Sequence, residues 1–355
     1  MLKIKNYLIS KLNKKRLTLA ALTIGTTLGA AAQTAPQPGY FLFPIKPGER
    51  NYLSGSMGEI RSNHFHGGLD IKTDQREGLP VHAAADGYIS RVKQSTYGYG
   101  NIIFITHPNG LVTTYAHLSA FGQPLADYMV QQQYEKKAFE LELFPEPGKF
   151  PVKRGDIIGL SGNTGGSGGP HLHFEIRDEK DRLYNPLKYK FQEVLDTTPP
   201  DIYSLGITPL NIHARVNNEF SRAEYRTTQV GTDYTLADTV YANGLLGLEL
   251  QTIDRLDGAA NKNGTQEVTL YVNGKQLYNH YIDQVPFELS RQVSQHINYD
   301  VYKRKGRTFQ KAYVDTGNDL PLYNTTSARQ GRISVHPDST YQVKLVARDS
   351  YDNTA

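Results

Sequence analysis

Residues 161–177 read SGNTGGSGGPHLHFEIR, and this stretch decides the architecture around it. Its second half alternates strictly. His171, His173, Glu175 and Arg177 belong to one face of a strand, and Leu172, Phe174 and Ile176 to the other. Two imidazoles are thereby placed on the same face, about 7 Å apart along the strand. Ahead of them Gly162, Gly165, Gly166, Gly168 and Gly169 lead into Pro170. So many glycines let a backbone lie close to a ligand with no side chain between. A phosphate cradle does not fit, because no Gly-Lys-Ser/Thr follows and no helical pattern opens after the loop. The loop reads as the rim of a groove, and the strand as its floor.

Outward from this stretch, strand-like runs cover 70–72, 80–83, 87–93, 101–106, 111–118 and 157–161. Asp86-Gly87 and Asn109-Gly110 are tight-turn dipeptides. The second joins NIIFITH to LVTTYAH as a hairpin, which places His117 at the far end of its strand, on a face with Leu111, Thr113 and Tyr115. An all-β domain built on an antiparallel sheet is expected over 51–190. Residues 123–149 break the pattern and read as an insertion, a helix followed by a short strand. Its two anchor points, His117 and the glycine loop, border the groove. Tyr128, Tyr134, Glu135, Glu140 and Glu142 are therefore expected to form one wall of the cleft.

A Pro-rich lead, 33–50, contains Tyr40-Phe41-Leu42-Phe43-Pro44 and is expected to dock in extended form on this domain. A linker is expected at 191–200, which contains Thr197-Thr198-Pro199-Pro200. Beyond it GLELQTID, EVTLYV-Asn273-Gly274-KQLYNHYI and YQVKLVARD alternate between turns. That texture predicts a second all-β domain over 201–355, an immunoglobulin-like β-sandwich. The chain stops five residues after Ser350, just past a strand pattern, so truncation or a further module is expected there.

Residues 1–32 join six basic side chains to a short apolar run and a small-residue end, Gly29-Ala30-Ala31-Ala32. That is a secretory signal peptide, and it points to a periplasmic or cell-envelope location. The apolar run is too short for a confident membrane span. There is no cysteine, which excludes disulfides and attachment through a lipobox. Six of the 39 basic residues fall in the signal, leaving 33 against 35 acidic ones. Nucleic acid as a partner has no electrostatic support at that balance. Oligomeric state is not legible.

Seven of the 11 histidines lie between positions 64 and 173. His66-Gly67-Gly68-Leu69-Asp70 spaces an imidazole and a carboxylate by four residues. A shared helix face would suit that spacing, but two adjacent glycines cost a helix about 1 kcal/mol each against Ala. The pair fits a turn that enters a strand. One histidine of the His171-x-His173 pair would complete three ligands of His2Asp type, a set that leaves a fourth position open as catalytic zinc sites do. Zinc in such a site polarises a carbonyl and lowers the pKa of a bound water to about 7. His117 and the remaining histidine of the pair are placed to accept the proton and stabilise the oxyanion. His64, His82 and His107 read as structural.

Taken in order, HFHGGLD, GYGNIIFITHPNG, TTYAHL and GDIIGLSGNTGGSGGPHLHFEIR resemble the lysostaphin/LytM-type zinc peptidases of bacterial cell walls, over about residues 50–187. The resemblance implies that His66, Asp70 and His173 ligate one Zn2+, while His117 and His171 are the catalytic pair. It also implies a peptidoglycan endopeptidase that acts on stem peptides or cross-links. The alternative is a non-catalytic envelope protein that binds wall peptides or activates another wall hydrolase. Regulatory members of the family typically lack a metal ligand, and here none is missing.

Overall fold

The alternation at 171–177 becomes a central strand of an antiparallel sheet. In chain order the first half runs β1 (Leu53–Gly55), β2 (Leu69–Lys72), β3 (Pro80–His82), β4 (Gly87–Gln94), β5 (Ile102–Thr106) and β6 (Leu111–Ala116). It continues with β7 (Ala120–Phe121), helix α1 (Leu125–Lys136), β8 (Leu141–Leu143), β9 (Pro151–Val152), β10 (Ile157–Leu160), β11 (His171–Asp178) and β12 (Arg182–Tyr184). The large sheet has the order β1-β2-β11-β6-β5-β4-β8, and β3-β10-β7 form a smaller one. The computed structural model describes residues 37–326 and 328–355, so the signal-peptide reading of 1–32 lies outside the described residues. Among the described residues no helix is long and apolar enough to cross a membrane.

The apolar face of β11 builds the main core. Leu172, Phe174 and Ile176 are fully buried there with Ile103, Ile105 and Tyr115. The described part of the lead runs through turns and bends instead of an extended segment: Phe41, Phe43 and Ile45 enter the same core, and Leu42 N donates to Ala84 O at 2.7 Å. Each such side chain contributes about 1.5–3 kcal/mol by leaving water.

His117 departs from its expected place. β6 ends at Ala116, and His117 has φ 62°. The register pairs His173 with Ala116 and Phe174 with Tyr115, so Thr113 and Tyr115 share the core face with Phe174 and Ile176. Continued alternation would bury His117 on that face. Instead its N–H donates to Tyr99 O at 2.9 Å, and the left-handed residue carries the ring across to the histidine face.

The insertion is also displaced from expectation. α1 buries Leu125 and Met129 in the main core, and β8 pairs with β4 at the far edge of the sheet. Glu142 pairs with Arg91 and Lys93, and Tyr128 lies under the Lys149 ammonium. Four strand spacings separate β8 from β11, about 19 Å. The insertion therefore does not wall the cleft. Open backbone on β4 offers it a partner, and that pairing wins over proximity of its anchor points.

The remainder of the chain is β-rich. A six-stranded sheet centres on the strand Ala242–Ile253, and a four-stranded sheet contains Glu267–Val272, Lys275–Tyr281, Tyr323–Thr325 and Val343–Arg348. The two share a core in which Ile207, Leu246 and Leu248 meet Leu270 and Tyr278. Asn273-Gly274 turns the expected hairpin with φ of 50° and 75°. The all-β expectation fails between them: Phe287–Gln292 is a 3-10 helix, followed by helices Val293–His296 and Tyr299–Lys305. Asn298 caps the last by accepting from Val301 N, and Gly306 closes it at φ 63°.

The two parts are joined in space as well as in sequence. The strand Gln284–Pro286 pairs with β12 and so extends the large sheet. Met57, Phe65 and Leu183 share a core with Ile282, Val285, Val293, Leu320 and Leu322. Within the linker stretch, Phe191 and Val194 are packed in the main core.

Candidate active site

β2 and β11 run side by side with Asp70 opposite His173, which puts carboxylate and imidazole on one face at neighbouring positions. His66 comes from the turn before β2. Its loop is held from the other part of the chain, since Phe65 N donates to Ser290 O at 2.9 Å. Three atoms converge. His66 Nε2 lies 2.9 Å from Asp70 Oδ1 and 3.1 Å from His173 Nδ1, and His173 Nδ1 lies 2.9 Å from Asp70 Oδ1. All three side chains are buried, and together they form a cluster able to hold a metal ion.

The far side of each ring is tied. His66 Nδ1 lies 2.8 Å from Ser56 O, to which it donates, leaving the Nε2 lone pair for the cluster. His173 Nε2 lies 2.9 Å from Glu175 Oε1, which leaves Nδ1 free. Glu175 also accepts from Tyr99 Oη at 2.7 Å and from Arg177 Nε at 2.7 Å. The other Asp70 oxygen accepts from Arg61 at 2.8 Å. Orienting partners of this kind fit the donor set to a metal.

Charge agrees with geometry. Burial works against ionised Asp70, but His66 and the other two rings prevail and hold its carboxyl well below the usual range. Burial also opposes charge on His173, yet Asp70 and Glu175 on its two sides lift it to about 9. A position that attracts positive charge so strongly suits a cation. Burial lowers His66, in keeping with a neutral ligand.

His117 and His171 flank the cluster. His117 Nδ1 donates to Thr164 O at 2.8 Å, and His171 Nδ1 lies 2.8 Å from Gly169 O. Both rings are thereby turned so that Nε2 faces inward, and His171 Nε2 lies 3.4 Å from Asp70 Oδ1. Burial first, then the neighbouring His173 and His171, pushes His117 down to about 4, so its imidazole is neutral at pH 7. The glycines of the loop explain how Thr164 is placed. Gly165 has φ 74°, and a Cβ there would meet Gly100 N at 2.3 Å, so at this point the 97–101 and 162–169 loops meet backbone to backbone.

All five residues singled out from the sequence are therefore brought together. The supporting residues Ser56, Arg61, Tyr99 and Thr164 were not legible as such, because each acts through tertiary contacts. Glu175 did carry a signal, its place on the histidine face. His82 and His107 are structural: His82 Nδ1 lies 2.8 Å from Gly155 O, and His107 bridges Asp86 O and Thr113 Oγ1 at 2.8 and 2.7 Å. A groove leads up to the cluster and is lined by Lys46, Arg50, Tyr52, Lys72, Gly168 and His171.

Residues 64–133 and 147–186 match Peptidase family M23, and the match breaks only within the insertion. Over these residues the chain is similar to M23 peptidase domains. The DD-carboxypeptidase/endopeptidase Mpg of Neisseria meningitidis is 40% identical over 113 residues, 32% of this chain and 20% of that protein. The peptidoglycan DD-endopeptidase ShyA of Vibrio cholerae is 34% identical over 99 residues, 28% of this chain and 17% of that protein. The chain thus spans about a fifth of the length of these curated relatives. Among solved structures, the catalytic domain of lysostaphin from Staphylococcus simulans aligns at 30% identity, over 36% of this chain and 77% of that one, with a TM-score of 0.26.

Proposed function

We propose that the protein is a zinc-dependent endopeptidase that hydrolyses peptide bonds in bacterial peptidoglycan, in stem peptides or their cross-links. The observation that carries this is the convergence of His66 Nε2, Asp70 Oδ1 and His173 Nδ1 on one point, with two inward-facing imidazoles beside it. His66, Asp70 and His173 would hold the zinc. When bound there, zinc polarises the scissile carbonyl and lowers the pKa of a water to about 7.

The chain's own residues do the rest. Neutral His117 accepts a proton at Nε2, because its Nδ1–H is committed to Thr164 O. His171, with Nδ1–H donating to Gly169 O, can donate from Nε2 to the developing oxyanion as the imidazolium, with both ring nitrogens protonated. Glu175 keeps the His173 tautomer fixed. Arg50 and Lys72 along the groove suit a peptide that carries free carboxylates. The names of the two relatives favour a DD-bond as the one cut.

The two facing sheets of 201–355 we read as an immunoglobulin-like sandwich with helical additions, a reading supported by their shared core. The signal-peptide reading of 1–32 supports a periplasmic or envelope location. The test is digestion of purified muropeptides with mass analysis of the products. Cleavage by the wild type that disappears in His66→Ala is expected. No cleavage of any muropeptide by zinc-loaded protein would favour the non-catalytic alternative.

A further inference from the structure

Three carboxylates outside the histidine cluster meet where the two parts of the chain join. Asp196 lies in the connecting stretch, Asp254 just past the strand Ala242–Ile253, and Asp349 just past Val343–Arg348. One oxygen of each lies within 4.8 Å of an oxygen of the others. All three are buried, at 7%, 4% and 1% exposure. Their nearest guanidinium groups in sequence are turned elsewhere, Arg255 to Asp201 and Arg348 to Glu267. Buried like charges without a counter-ion lose hydration and repel one another, so they require a proton or a cation.

The hydrogen bonds within the cluster orient it and leave ligand positions open. Asp349 Oδ1 accepts from Tyr351 N at 2.7 Å and Asn353 N at 2.9 Å, and its Oδ2 accepts from Asn353 Nδ2 at 2.8 Å. Asp196 Oδ1 accepts from Thr198 N at 3.0 Å. Asp196 Oδ2 and Asp254 Oδ1 have no hydrogen-bond partner among the described residues.

Asn263 is the independent sign. The residue is 4% exposed, and among the described residues neither its side-chain oxygen nor its nitrogen has a hydrogen-bond partner. It pairs with Asp254 across an antiparallel bridge, which directs both side chains to one face. Two residues along on that face, Thr252 and Thr265 bond across the same pair of chains at 2.7 Å. Asn263 therefore points with Asp254 into the acidic cluster. A buried amide making no bonds is rare and calls for a ligand.

We propose that Asp196, Asp254, Asp349 and the side-chain oxygen of Asn263 bind a calcium ion. Every donor is oxygen, which excludes the nitrogen and sulfur preference of zinc. A buried cage of protein oxygens in irregular arrangement suits calcium, whereas magnesium keeps several waters and demands an octahedron. The ion would fasten the connecting stretch and the last strand to the long strand of the six-stranded sheet. Two contacts already follow that path, Tyr351 Oη to Val194 O at 2.9 Å and Asn353 Nδ2 to Asp196 O at 3.3 Å.

The experiment is a Ca2+ titration by calorimetry into the purified full chain, freed of calcium on a chelating resin, with thermal unfolding in parallel. One bound ion is expected, with a rise in Tm of about 5 °C or more at 100-fold excess over Kd. Asp254→Asn and Asp196→Asn should each weaken binding at least tenfold while zinc content stays unchanged. If either variant fails to fold, the wild-type titration and the other variant decide. Absence of calcium heat and of any Tm shift up to millimolar Ca2+ overturns the proposal. Undiminished binding in both variants overturns the placement, and an equal shift with Mg2+ overturns the choice of ion.

Discussion

The rings of His117 and His171 face each other with centroids 4.8 Å apart, and each is anchored through Nδ1 to a main-chain carbonyl of the glycine loop, Thr164 or Gly169. One loop thus sets the direction of both imidazoles without supplying any of His66, Asp70 and His173. His117→Ala and His171→Ala are therefore expected to keep full zinc content and to lose activity by about 10²-fold or more each. Metal analysis beside muropeptide turnover checks this, and near wild-type turnover would assign that histidine a structural role.

Loss of a ligand acts differently. His66→Ala, Asp70→Ala and His173→Ala each remove one of the three converging atoms. Stoichiometric zinc is expected to disappear in each, as measured on folded protein by elemental analysis. Retention of one zinc per chain in all three would refute the assignment.

Glu175 is fully buried and holds both His173 and Arg177. Glu175→Gln replaces the acceptor for His173 Nε2 with a weaker one, so zinc affinity should fall by about 10–100-fold. Glu175→Ala in addition leaves buried Arg177 with only the exposed Asp181 as a carboxylate partner, at a cost of up to about 3 kcal/mol. Competition with a zinc chelator and chemical denaturation measure the two effects separately.

Phe65, adjacent to His66, is 1% exposed and packs with Val285, Val293 and Leu322 from the second part of the chain. Phe65→Ala should destabilise by about 3–5 kcal/mol. Because the same core supports the His66 loop, zinc should also dissociate faster. A variant that unfolds more readily yet releases zinc at the wild-type rate would show that the loop stands on its own.

His107 is buried, and its pKa is lowered to about 4, chiefly by burial. Between its ordinary value of about 6.5 and 4 the unfolded chain binds the proton and the folded chain does not, so stability falls as pH falls through that window. The full difference approaches about 3 kcal/mol. His107→Gln, though less stable at neutral pH, should lose correspondingly less between pH 6.5 and 4. Urea unfolding at several pH values reads the slope, and parallel slopes would contradict the prediction.

By itself the sequence determined the floor of the site and which residues are candidates for it. Period-two alternation in HLHFEIR fixes which side chains share a face, since a strand allows no other assignment once its apolar face is buried. The Asn109-Gly110 and Asn273-Gly274 hairpins were legible for an equally local reason, positive φ at the turn. Only the tertiary structure decided the rest. Alternation alone would have sent His117 into the core, and the capture of its N–H by Tyr99 O turns it the other way. The insertion reached β4 because that edge had backbone groups to pair, a fact no residue within 123–149 encodes. The dependence of the His66 loop on Ser290, and the meeting of Asp196, Asp254 and Asp349, join residues more than fifty positions apart. Such contacts come from the packing of whole sheets, and periodicity within a segment carries no information about them.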